Sequence, residues 1–214
     1  MSIGWNSKVH VIVFNKLGFL LVSLLVSISG AIYASEDTDV LPLKQQLKDS
    51  TLCLAAAKDA GIEYGVDYDL LQTISSVESG VWNELRNTYV AWPWTVNVNG
   101  KGYYYETREE AVKAAKNFIA QGHKSIDVGC MQVNMKYHGD GFSSIDEAMD
   151  PVNNVKYSAK FLRSLYVRNG NDWIKAAKKY HSANSTEGAV YTARLAKRFE
   201  SYKSAGLTQG VKLF

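Results

Sequence analysis

Asp67-Tyr68-Asp69-Leu70-Leu71-Gln72-Thr73-Ile74-Ser75-Ser76-Val77-Glu78-Ser79-Gly80 is the stretch on which the reading of this chain turns. Asp67 has the short acceptor side chain of a helix N-cap. Leu70, Leu71, Ile74 and Val77 recur at the helical apolar period, and Gly80 supplies a stop. Leu71, Ile74 and Glu78 are spaced i, i+3, i+7, so the glutamate lies on the apolar face. A carboxyl there loses hydration, its charged form is disfavoured, and it becomes able to donate a proton near neutral pH. Two blander readings compete: a frayed helix end that leaves Glu78 solvated, or a lysine that pairs with it.

Outward from this helix the chain reads as mainly α. Leu52 to Ala60 is alanine-rich and helical, and residues 36–50 are polar with Pro42 and no period, so 35–50 reads as a lead-in segment. Between Gly80 and Glu106 the pattern changes to Trp94-Thr95-Val96-Asn97-Val98 and Tyr103-Tyr104-Tyr105 around Asn99-Gly100, a hairpin. Thr107 and Glu110 form a capping-box pattern before Ala111, Ala114, Ala115, Phe118 and Ile119. Asp150-Pro151 opens another helix, whose buried face would be Val155, Ala159, Leu162 and Tyr166. Asp172 starts the next at Trp173, and a last one runs near Glu187 to Tyr202. The expected architecture is a helical domain over residues 51–214 with one small β excursion.

Composition narrows the function classes. The 214 residues carry 24 Lys+Arg against 21 Asp+Glu, an excess too small to mark a nucleic-acid binder. Residues 1–34 contain no Asp or Glu; Lys8, His10 and Lys16 precede the apolar run Leu17 to Ile28, and small residues follow. That order is a secretory signal peptide, cut after Ala31 or Ala34, and the run is short for a membrane span. An uncleaved inner-membrane anchor is the other reading, because Val9 to Phe14 lengthens the apolar stretch. Export to the periplasm would favour a bridge between Cys53 and Cys130, with two buried free thiols as the alternative. The sequence has no Gly-x-Ser-x-Gly, no phosphate-cradling glycine loop and no His-Glu-x-x-His, and it implies neither a cofactor nor a metal site.

A second stretch adds chemistry: Ile126-Asp127-Val128-Gly129-Cys130-Met131-Gln132-Val133-Asn134. Gly129 permits close backbone approach. Gln132 and Asn134, two apart, would point the same way in an extended segment, and neutral amides suit sugar hydroxyls and N-acetyl groups. A turn with surface amides is the plainer reading.

Together these segments resemble the soluble-type lytic murein transglycosylases, the SLT domain family, in a periplasmic subgroup. Glu78-Ser79-Gly80 ending a helix, Gly129-x-Met131-Gln132-Val133-Asn134, Asp150-Pro151-x-Asn153-Asn154-Val155 and Tyr180-His181-Ser182-Ala183 occur in family order. Trp92-Pro93-Trp94-Thr95 and Asp127-Val128-Gly129-Cys130 resemble the subgroup's segments. The resemblance implies a lysozyme-like fold with a groove for peptidoglycan glycan strands. It implies cleavage of the β-1,4 bond between N-acetylmuramic acid and N-acetylglucosamine, a 1,6-anhydromuramic product, and Glu78 as single general acid and base. Met131 and Gln132 match groove-lining residues, and Tyr180 matches the tyrosine beside the catalytic glutamate. Asn134, Trp92 and Trp94 are further substrate-binding candidates; for both tryptophans and Tyr103 to Tyr105 the competing reading is the hairpin's own small core.

The chain also departs from the pattern. The family's Tyr-Asn-x-Gly is Tyr180-His181-Ser182-Ala183 here, and 53 positions separate Glu78 from Gln132, more than in compact members. Two other functions fit the same fold. A hydrolytic muramidase would need a second carboxylate, for which Asp127 is the best candidate. A non-catalytic glycan-binding assembly protein would be expected to lack the acid, and Glu78 is present. Secreted enzymes of this type often open the wall for a secretion, pilus or flagellar assembly, and the sequence does not choose among these.

Overall fold

A computed structural model describes residues 40–182 and 184–210. The signal-peptide expectation for residues 1–34 lies outside them. The described chain is mainly helical with small antiparallel sheets, as expected for a lysozyme-like domain. Among the described residues no helix is long and apolar enough to cross a membrane.

Helix α1 runs Val40–Tyr64, so the lead-in corrects to helix from residue 40 onward. At Asp49 the buried side chain is polar and bonded, so the sequence shows no apolar residue there to mark the helical period. Asp49 is buried, accepts from Gln45 Nε2 at 2.9 Å, and accepts from the Trp94 indole at 3.2 Å. Farther along, Cys53, Ala56, Ala57 and Ala60 form one buried face of small side chains. That face lets α6 (Pro151–Arg168), with Val155, Ala159 and Leu162 buried, pack close against α1.

Helix α2 is Tyr68–Ser79, capped by Asp67, whose carboxylate accepts from the Asp69 and Leu70 amides. Its residues 69–76 are all buried, so α2 is the central helix and has no solvent face along that stretch. Buried hydroxyls are tolerated because each has a partner: Thr73 donates to Asp69 O, and Ser79 donates to Ser75 O and Cys130 O. Gly80 does end the helix, but not by a left-handed turn; its φ is −68°. A Cβ there would stand 2.1 Å from Ser76 O, so the position requires glycine for space.

The chain then enters two sheets where one hairpin was expected. Strands β1 (Gly80–Asn83) and β2 (Thr88–Ala91) pair as a first hairpin. Strands β3 (Thr95–Val98), β4 (Lys101–Tyr104), β5 (Ile126–Val128) and β6 (Val133–Asn134) form a second sheet in the order β4-β3-β5-β6. The expected hairpin is β3–β4, and Asn99 and Gly100 both take positive φ, as its two-residue turn demands. Helix α3 (Arg108–Ala120) covers this sheet, and Trp92, Trp94, Val96, Val128 and Met149 fill the space between.

The short helices α4 (Met135–His138) and α5 (Ile145–Met149) lead to α6, and α7 (Trp173–His181) and α8 (Ser185–Ser204) follow. Tyr191, Leu195, Phe199 and Tyr202 form the buried face of α8. Arg198 donates to Ser76 Oγ at 2.6 Å, and the Tyr202 hydroxyl donates to Tyr89 O at 2.9 Å, which holds α8 on α2 and β2. Cys53 and Cys130 are joined by a disulfide that ties α1 to the β5–β6 connection. Closing a loop of that length contributes roughly 4 kcal/mol by chain entropy.

Candidate active site

The end of α2, the β5–β6 connection and helices α7 and α8 surround a cavity of about 500 Å³ lined by Glu78, Asp127, Gln132, Asn134, Tyr180, His181, Tyr191 and Arg194 among others. Glu78 is the next-to-last residue of α2, where the buried helix meets the cavity, and its side chain is 15% exposed. Burial is the largest influence on its carboxyl and pushes its pKa up to about 7. A hydrogen bond from Tyr191 and the Arg194 charge pull the other way, while Asp127 adds to the rise. Neither competing reading of Glu78 survives: the helix end is not frayed, and its hydrogen-bond donor is a tyrosine.

That donor is the residue the sequence reading missed. The Tyr191 hydroxyl donates to Glu78 Oε1 at 2.6 Å, and Tyr191 is fully buried. Tyr180, the expected neighbour, lines the same cavity but bonds elsewhere. Its hydroxyl donates to Met131 O at 2.8 Å and meets Ser158 Oγ at 3.1 Å. Burial first, and then the nearby Glu78, raise the Tyr180 phenol, so it stays protonated. The only sequence trace of Tyr191 is its place on the apolar stripe of α8, which marks it as core and says nothing of its hydroxyl.

The β5–β6 connection is built by a buried clamp. Asn154, on α6, donates to Val128 O and Ala148 O and accepts from the Met131 amide, all at 2.9 Å. Gly129, at φ +78°, passes so close that a Cβ would stand 2.5 Å from Asn154 Nδ2. This clamp turns Met131 inward. Its side chain is fully buried in the helical core, so it does not line the cavity as expected; only its backbone serves the site, by anchoring Tyr180.

Gln132 and Asn134 both reach the cavity, but not because the segment is extended. Gln132 sits in a turn at φ +47°, and its amide donates to Thr95 O and Gly129 O. Asn134 caps α4 and donates to Asp127 Oδ1 at 2.6 Å. Asp127 is therefore a held acceptor. Burial lifts its pKa above the ordinary carboxylate value, and the Asn134 bond opposes this.

Trp92 and Trp94 are each 7% exposed and belong to the core beneath the β3–β4 hairpin, so the stacking role expected of them corrects to packing. Their indole nitrogens are already occupied, by Tyr105 O and Asp49. Among the described residues no cluster of His, Cys, Asp and Glu could hold a metal ion. His138, also on the cavity wall, shares a hydrogen bond with the Tyr157 hydroxyl at 2.9 Å.

A family model, the transglycosylase SLT domain, matches residues 55–202. No match was found among curated proteins or among solved structures. The matched span runs from α1 through the whole cavity to the Tyr202 end of α8 and covers more than half of the chain. With that span come all the elements that bring Glu78, the β5–β6 turn and α8 together, and the chain belongs to the SLT family of peptidoglycan lytic transglycosylases, lyases that cleave the glycan strands of the cell wall.

Proposed function

We propose that this enzyme cleaves the β-1,4 bond between N-acetylmuramic acid and N-acetylglucosamine with Glu78 as its single general acid and base, leaving a 1,6-anhydromuramic end. The carrying observation is a buried carboxyl at the head of the cavity with its pKa at about 7. Such a group holds its proton at working pH and can also release it. Glu78 protonates the glycosidic oxygen as the bond from C1 breaks, and the leaving sugar departs with that proton. Positive charge develops at C1 and the ring oxygen. The C6 hydroxyl of the same muramic residue attacks C1, and the Glu78 carboxylate accepts the hydroxyl proton. The carboxyl returns to its starting form, and no water is consumed. Paired-carboxylate glycosidases need a second group to place water or to form an adduct. An intramolecular nucleophile removes that need.

Tyr191 supports both halves of this cycle. Its hydroxyl on Oε1 fixes the carboxyl and steadies the transient carboxylate, leaving the other oxygen for proton transfer. Gln132 and Asn134, which line the same cavity, are the proposed amide contacts to the sugars.

Hydrolysis is the second reading, because Asp127 lines the same cavity. Its oxygen is engaged by Asn134, which favours a charge-steadying role over activation of water. Mass spectrometry of purified peptidoglycan digested by the enzyme separates the two. Anhydromuropeptides from the wild type and none from Glu78→Gln are expected. Reducing-end muropeptides would instead identify a hydrolase. We further propose that the enzyme works in the periplasm. The disulfide suits an oxidising compartment, and cell-wall glycan lies outside the cytosol. Recovery of the mature chain in the periplasmic fraction, cut after Ala31 or Ala34, is the expected result; recovery in the membrane fraction at full length would indicate the anchored form.

A further inference from the structure

Arg194, on α8, lines the active-site cavity, and it is the only Lys or Arg among the described residues that do so. It is exposed, and its guanidinium lies 5.6 Å over the ring of Tyr191, the residue bonded to Glu78. Its charge is felt at the Glu78 carboxyl and at the His181 imidazole. Yet among the described residues no carboxylate forms an ion pair with it. The glutamates of its own helix are engaged elsewhere: Glu187 accepts from the Ser182 hydroxyl, and Glu200 pairs with Lys203 at 3.9 Å. In the cavity, Asp127 is held by Asn134, and Glu78 bonds to Tyr191. The enzyme thus keeps one cation at its reacting centre without an anion of its own to match it.

We propose that Arg194 binds a carboxylate carried by the O3 substituent of the muramic residue at the cleavage point, and so selects strands that bear this charge. This rests on the reading of Glu78 as the acid acting at muramic C1, because that reading places the muramic ring beside Arg194.

The chemistry of the substrate supplies the anion. N-acetylmuramic acid carries a lactyl ether on O3, and its glucosamine partner does not. A bare lactyl group ends in a carboxylate; a stem peptide attached there replaces that carboxylate with carboxylates of its own. Either source presents the same group on the same ring. A planar guanidinium fork matches a carboxylate through paired N–H···O bonds, and here its donors have no partner within the described protein. Its place over the Tyr191 ring holds the cation at the cavity wall. Gln132 and Asn134 are neutral and cannot read this charge. Because Arg194 is exposed, solvent screens part of the attraction, and the selectivity it confers is moderate.

The test is kcat/KM on two kinds of soluble glycan strand, one bearing stem peptides and one stripped by an amidase to the bare lactyl group. Each is used as the free acid and as the methylamide, with amines acetylated beforehand. The quantity read is the ratio of free acid to methylamide within one enzyme, which cancels any effect of a substitution on Glu78 or on the fraction folded. The wild type is expected to favour the free acid by about tenfold on at least one kind of strand. The strand that shows the preference identifies the source of the carboxylate. In Arg194→Met the ratio should fall to near one, and in Arg194→Glu it should invert. A wild-type ratio near one on both strands, or a preference that persists in Arg194→Met, overturns the proposal. Should the methionine variant not fold, Arg194→Glu decides: an inverted ratio supports the contact, and one left at the wild-type value overturns it. Activity surviving in Glu78→Gln is a separate failure, that of the acid assignment, and it is read in product yield rather than in these ratios.

Discussion

The Tyr191 hydroxyl and Glu78 Oε1 meet at 2.6 Å although Tyr191 lies 113 residues further along the sequence. The contact exists because α8 is pinned along α2 by Arg198 on Ser76 and by Tyr202 on Tyr89. It gives the half-buried carboxyl one fixed partner on the cavity wall.

Removing that hydroxyl has a directional consequence. The Tyr191 bond lowers the pKa of Glu78 against the larger effect of burial. In Tyr191→Phe the carboxyl is less steady as an anion and its pKa climbs further. The lytic rate should drop about tenfold to a hundredfold, the scale expected for a charge-assisted hydrogen bond. The alkaline fall in rate should move to higher pH. A shift toward lower pH would contradict the geometry.

Glu78 also couples stability to pH. Its carboxyl goes from an ordinary 4.5 when unfolded to about 7 when folded, so the folded state holds the proton more tightly. The group's destabilising effect is absent below about pH 4.5, where both states are protonated. It grows through the interval and is complete above about pH 7, where a buried charge must be tolerated. The ceiling on this effect is about 3 kcal/mol. Glu78→Gln should therefore be more stable than the wild type at pH 8 by about 2 kcal/mol and nearly equal to it at pH 4. Urea unfolding at the two pH values measures this, and an equal difference at both would sink it.

Gly129 and Asn154 act as one fitting. Asn154→Ala abandons three buried backbone groups and should cost about 2–4 kcal/mol. Gly129→Ala strains a positive φ and drives a methyl into Asn154, at a cost of about 2 kcal/mol or more. The double variant should cost less than the sum, because truncating Asn154 vacates the space that the methyl needs. Denaturant unfolding of the four proteins tests this, and strict additivity would refute the contact.

Trp94 tests the corrected assignment of the hairpin tryptophans. Trp94→Phe leaves a gap in the sheet core and removes the indole donor to Asp49 Oδ2, which keeps only its bond from Gln45. A loss of about 2 kcal/mol in stability is expected, with KM for glycan strands changed less than twofold. A large rise in KM without loss of stability would restore the stacking role.

The sequence alone was sufficient for features that depend on neighbours along the chain. The caps at Asp67, Thr107, Asp150 and Asp172, the Asn99-Gly100 turn and the placement of Glu78 at the end of an apolar helix all follow from local hydrogen bonding and helical period. The order of four short motifs was enough to indicate the family. The sequence did not reveal that the helix reaches back to residue 40; at Asp49 a polar side chain bonded to Gln45 and Trp94 is buried where an apolar one would have marked the period. Nor did it show that Met131 faces inward, that the tryptophans are core, or that Tyr191 rather than Tyr180 holds the carboxyl. Each of those depends on which surfaces meet when α6, α7 and α8 close on α2. A side chain's spacing fixes the face it occupies on its own helix; only the packing of the other helices decides whether that face is core, cavity wall or hydrogen-bond partner.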